Sequence, residues 1–94
     1  MASLAQLQEQ IFQKEGFRVE FVPLNAKTRA FPAYEFEVMA SNKWRVSDWR
    51  MQRLEAYVPL MRSVTVLRGD GSPLKTDMRL GNLRDTYFDE IYGA

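Results

Sequence analysis

The sequence predicts an α+β fold: an antiparallel sheet of three to four strands, covered on one face by about three helices, in the order α-β-β-α-β(-β)-α. Three observations carry this reading. Apolar residues recur at helical spacing near the start, middle and end of the chain, they alternate with period two in the stretches between, and Gly, Pro and Asp collect at the joints. A length of 94 residues makes this one domain, residues 1–94, large enough to close a core without disulfides.

The first element is a helix over residues 4–15. Ser3 and Gln6 have the spacing of a capping box, Leu4, Leu7, Ile11 and Phe12 repeat along one face, and Gly16 offers the left-handed stop. From Phe17 the period becomes two. Phe17, Val19 and Phe21 point one way while Arg18 and Glu20 point the other, as in a half-buried strand. Tyr34, Phe36 and Val38, alternating with Glu35 and Glu37, predict a second strand antiparallel to the first. The ten residues from Pro23 to Pro32 are then a long, basic surface loop.

Ser47 and Asp48 suit the start of the next helix, over about 48–58, because a hydroxyl and an early carboxylate complement its positive end. Met51, Leu54 and Val58 share one sector, predicted to face the core together with Met61. Trp49, Gln52, Arg53 and Ala56 fall in the opposite sector and are expected in solvent. A third strand follows over 63–68, closed by the Asp70-Gly71 turn, with Pro73 to Lys75 as a short return at a sheet edge. Gly81 would end a short turn beginning near Thr76, and Asn82 and Asp85 would open a last helix over about 82–92. The expected core is Leu7, Ile11, Phe17, Val19, Phe21, Phe36, Val38, Leu54, Val58, Val64, Val66, Leu83 and Tyr87.

Composition narrows the functions. With 46% hydrophobic against 27% charged residues the chain is a folded globule, and no apolar run reaches the length needed to cross a bilayer. The absence of cysteine fits a reducing, cytoplasmic setting, and the absence of both cysteine and histidine removes the usual metal ligands, thiol nucleophiles and neutral-pH base. No phosphate-binding, dinucleotide or nucleophile-elbow motif is present; Gly69, Gly71 and Lys75 have the wrong spacing for a phosphate cradle. Arg68-Gly69-Asp70 spells an adhesion tripeptide that matters only outside a cell. Asp85, Asp89 and Glu90, and Glu20, Glu35 and Glu37, are read as solvated carboxylates rather than a cation site or an acid/base pair. The expectation is a protein without cofactor or metal that is not an enzyme.

The remaining signal is electrostatic. Residues 43–68 carry six positive and two negative side chains, against three and five in residues 69–94. Within the basic stretch, Lys43, Trp44, Arg45, Trp49, Arg50 and Arg53 interleave aromatics with cations, a mixture over-represented in protein interfaces and also able to stack bases and neutralise phosphates. These six residues are the candidate partner-binding site. The favoured reading is an accessory or regulatory module for a larger protein partner or a homodimer, centred on an exposed Trp49 and Arg53; the alternative is a nucleic-acid-binding module.

Overall fold

The computed structural model describes residues 2–28 and 30–92. Its elements are helix α1 (Leu4–Glu15), strand β1 (Val19–Pro23), helix α2 (Val46–Arg53), a 3-10 turn (Val58–Leu60), strand β2 (Met61–Val66) and helix α3 (Leu80–Tyr92). The class is α+β with three helices, but the sheet has two strands. β1 and β2 pair antiparallel, Val19 opposite Val66 and Phe21 opposite Val64, with a register shift at Val22/Pro23.

α1 forms as its sequence requires. Ser3 Oγ accepts from the Gln6 N–H, Gln6 Oε1 accepts from the Ser3 N–H, and Gly16 closes the helix at φ 83°, a left-handed conformation that side chains resist. Leu7 and Ile11 are fully enclosed on its inner face.

The second predicted strand does not form. Residues 34–38 are irregular, with a bend at 37–38, and form no ladder, because β2 takes one edge of β1 and α1 serves the other: Gln8 Oε1 accepts from the Phe21 N–H at 2.9 Å. Tyr34 instead donates its N–H to Gln10 Oε1 at 3.0 Å, so glutamines of α1 do what a neighbouring strand would have done. Val38, expected in the core, is exposed. The loop before this segment is tied down rather than free, since Phe31 is buried and exchanges both backbone hydrogen bonds with Ala2.

α2 is shorter than predicted and rotated, with Leu54 inside and Gln52 and Ala56 outside as expected but Trp49 and Arg53 turned in and Met51 and Val58 turned out. Its first residue is Val46, and Ser47 does not cap it; Asp77 accepts from the Ser47 N–H and Oγ at 3.0 and 2.9 Å, supplying the cap from thirty residues away. Val46, Trp49, Leu54 and, just beyond the helix, Tyr57 are buried, whereas Met51 and Val58 of the expected inner sector are exposed.

After β2, Leu67 and Pro73 form a single bridge in place of a return strand, around a turn with Gly71 at φ 86°. α3 begins at Leu80, two residues early, and runs through Gly81 and Asn82 without a break. The turn lies against α3 backbone to backbone. A Cβ on Gly69 would sit 2.1 Å from the Thr86 carbonyl oxygen, and the Gly69 N–H donates to Thr86 Oγ1. The Tyr87 hydroxyl stitches the same helix to the end of the sheet, accepting from the Arg18 N–H at 2.8 Å and donating to the Leu67 carbonyl. Leu7, Ile11, Phe17, Val19, Phe21, Leu54, Val66 and Leu83 are buried as expected, with Phe36, Val64 and Tyr87 packed at the margin. Met61 is inside as expected, and Phe31, Tyr34, Val46, Trp49, Tyr57 and Leu80 join the core.

Candidate functional site: an ionic centre and an open groove

The six residues 43–53 are divided by the fold. Trp49, expected in solvent, has no exposed surface; its ring meets Phe17 edge-on with centroids 4.8 Å apart, and its Nε1–H donates to the Tyr34 hydroxyl at 3.0 Å. An exposed anchor at Trp49 is therefore ruled out. Arg53 turns inward beside it, while Trp44 is half-buried with its ring 5.7 Å from the Arg53 guanidinium carbon. Lys43, Arg45 and Arg50 remain exposed, and Arg45 lies 3.9 Å from the Asp77 carboxylate.

What draws Arg53 inward is Glu15, the one charged residue among those described that is fully enclosed. Its carboxylate accepts from Arg53 Nη1 at 2.7 Å, Arg84 Nη2 at 3.1 Å, the Ala40 N–H at 2.8 Å and the Tyr34 hydroxyl. The guanidinium groups are finished by carbonyls: Val38 for Arg53, and Glu15 and Ala40 for Arg84, with Asn42 Oδ1 also on Arg84. One carboxylate thus joins the end of α1, the segment 34–42, α2 and α3. No fully buried side-chain nitrogen or oxygen among the described residues is left without a partner.

The surroundings shift the neighbouring groups. Burial pushes the Tyr34 phenol well above its ordinary value, and the adjacent Glu15 charge adds to that. Burial also draws Arg84 below the usual arginine value, with Arg53 acting in the same direction and Glu15 opposing. A carboxylate held by two arginines and fully hydrogen-bonded is locked as an acceptor, with no route to a substrate; it is a centre that fixes four segments.

Accessible concavities of similar size lie elsewhere on the surface, and one of them combines apolar side chains with strand-edge backbone. A groove of about 630 Å³ runs between the outer flank of α2, the outer edge of β2 around Val64 and residues 74–77, of which Leu74 donates its N–H to the Val66 carbonyl. Its apolar surface comes from Met51, Val58, Val64 and Leu74, and Arg50 and Lys75 stand at the rim. Leu67 donates its N–H to the Arg18 carbonyl, which sets the ladder's phase, so the N–H and C=O of Val64 point away from β1 toward this edge. Asp77 also lines the groove, but Ser47 and Arg45 engage its carboxylate, and hydrogen bonds from Ser47 hold it below the usual carboxylate range.

No group of three His, Cys, Asp or Glu side chains among the described residues could hold a metal ion. No helix among them is long and apolar enough to cross a membrane. No protein-family model, curated protein or solved structure matches this chain. The groove was not foreseeable as a site, because Met51 and Val58 read as core. Its single foreseen member is Arg50.

Proposed function

We propose that this chain is a non-enzymatic protein-binding module, an accessory or regulatory domain suited to a reducing compartment such as the cytoplasm, and that it docks its partner in the groove between α2 and β2. The observation that carries this reading is the combination of an apolar floor with an unpaired strand edge. Met51, 73% exposed, and Val58, 46% exposed, sit beside the N–H and C=O of Val64, which have no hydrogen-bond partner among the described residues. Soluble proteins seldom leave such a surface open unless something covers it, because it is costly in apolar area and invites pairing. The six-residue basic segment contributes Arg50 to the rim rather than acting as a unit.

Nucleic-acid binding is the weaker reading. It relied on an indole available for stacking beside free cations, and Trp49 is enclosed while Arg53 is neutralised by Glu15.

Photo-crosslinking tests the proposal. A benzophenone side chain at Met51, and at the exposed Gln13 as control, is introduced into the protein in its host cells. The expected result is one protein species attached from position 51 alone, whose purified form loses binding to Val58→Asp. Equal labelling from both positions, or none from 51, overturns the docking site.

A further inference from the structure

We infer that the occupant of this groove is the outer face of helix α3 from a second copy of the chain. The inference rests on the docking reading above and names its partner.

α3 turns Leu80, Leu83 and Tyr87 toward the core. At 100° per residue, Asp85, Phe88, Asp89 and Tyr92 then fall together on the opposite side, at positions i, i+3, i+4 and i+7. Phe88 is 61% and Tyr92 72% exposed, and their rings lie against each other with centroids 4.8 Å apart. This is an aromatic ridge flanked by two carboxylates. Nothing among the described residues covers it.

The groove is its counterpart in shape and sign: an apolar trough where the helix has an apolar ridge, with Arg50 and Lys75 where the helix has Asp85 and Asp89. Among the described residues none of these four charged side chains forms an ion pair within the chain. The cations of the groove and the carboxylates of the helix therefore become two matching surfaces. The Tyr92 hydroxyl is also the group suited to meet the free N–H and C=O of Val64, as the Tyr87 hydroxyl meets Arg18 and Leu67 within the fold.

Each copy carries both surfaces, so a two-fold pair makes the contact twice. Covering the exposed two-thirds of an aromatic side chain removes about 100–150 Å². Two such side chains, matched by the groove walls and counted over both contacts, bury about 1,000 Å², just below the range of standard interfaces. The association is accordingly weak and dependent on concentration.

Analytical ultracentrifugation of the full chain, from micromolar to near-millimolar concentration, tests this. The wild type is expected to rise to at least twice the mass of one chain, and to do so less at high salt. A groove variant, Met51→Asp with Val58→Asp, and a ridge variant, Phe88→Asp with Tyr92→Asp, are each expected to remain monomeric. Mixed, they can make one of the two contacts, because each keeps the surface the other has lost, and are expected to associate less than the wild type. Should the change at Val58 loosen the fold, as circular dichroism would reveal, Met51→Gln alone replaces it. A wild type that stays monomeric throughout, or a ridge variant that associates as well as the wild type, overturns the inference. So does a mixture that associates as well as the wild type, since it has one contact in place of two. If the Met51 crosslink meanwhile captures a different protein whose binding Val58→Asp abolishes, the docking site stands and only the second copy as its occupant fails.

Discussion

Replacing Glu15 by glutamine keeps the shape of the ionic centre and removes its only negative charge. Arg53 and Arg84, with side chains 11% and 13% exposed, are then left facing one another without a counter-ion. Breaking a buried ion pair from one side costs about 3–5 kcal/mol, chiefly because the surviving charge stays desolvated. The lower end applies here, since both guanidinium groups keep their carbonyl partners and a sliver of solvent contact. A loss of about 3 kcal/mol lowers Tm by about 12–24 °C in a domain of this size. Urea unfolding followed by circular dichroism should show an earlier midpoint with an unchanged slope. The same substitution in an Arg84→Met background should cost less, because one stranded charge has gone with its partner; the difference is a coupling energy of about 1–3 kcal/mol. A Glu15→Gln loss below about 1 kcal/mol, or strict additivity with Arg84→Met, would refute the claim that this carboxylate ties the four segments together.

Tyr87→Phe removes the hydroxyl that bridges Arg18 and Leu67, and should cost about 1–3 kcal/mol in urea unfolding by leaving both backbone groups without that partner; a change within error would mean that water replaces it freely. Gly69→Ala places a methyl where the Thr86 carbonyl already lies, so it should destabilise by at least about 2 kcal/mol, and a neutral result would show that the turn can move off α3. The Tyr34 phenol titrates higher in the folded than in the unfolded chain, so its contribution to stability is complete below about pH 10 and is lost as pH rises above that. Phenolate absorbance during an alkaline titration should accordingly show Tyr34 ionising together with unfolding, and Tyr34→Phe should remove that component. Free ionisation of Tyr34 in a chain that is still folded would contradict its enclosure.

Local signals were readable wherever neighbours in sequence are also partners in space. The capping box of Ser3 and Gln6, the stop at Gly16, the alternation through Val19 and Phe21 and the turn at Gly71 each complete their chemistry within a few residues. The helical spacing over residues 83–91 likewise reported α3, although its start at Leu80 was not evident.

The second helix was misread for a reason that lies in the tertiary structure. A face bearing Arg53 looks solvent-exposed, and by elimination Met51 and Val58 look buried. Glu15 reverses this: thirty-eight residues earlier in the chain, it supplies the opposite charge that lets a guanidinium enter the interior and bring Trp49 with it. Nothing near Glu15 in the sequence marks it as different from any charge at the end of a helix.

The sheet shows the same division. Residues 34–38 have the alternation of a strand, but a strand needs a free edge to join, and both edges of β1 are taken by β2 and Gln8. By itself, then, the sequence determined where the three helices and the two strands that pair lie, and that the class is α+β. Only the tertiary structure decided which face of α2 is inside, how many strands pair, and that the open surface is a groove rather than a tryptophan. Periodicity reports a residue's relation to its near neighbours, whereas burial of charge and competition for strand edges depend on groups that folding brings from far along the chain.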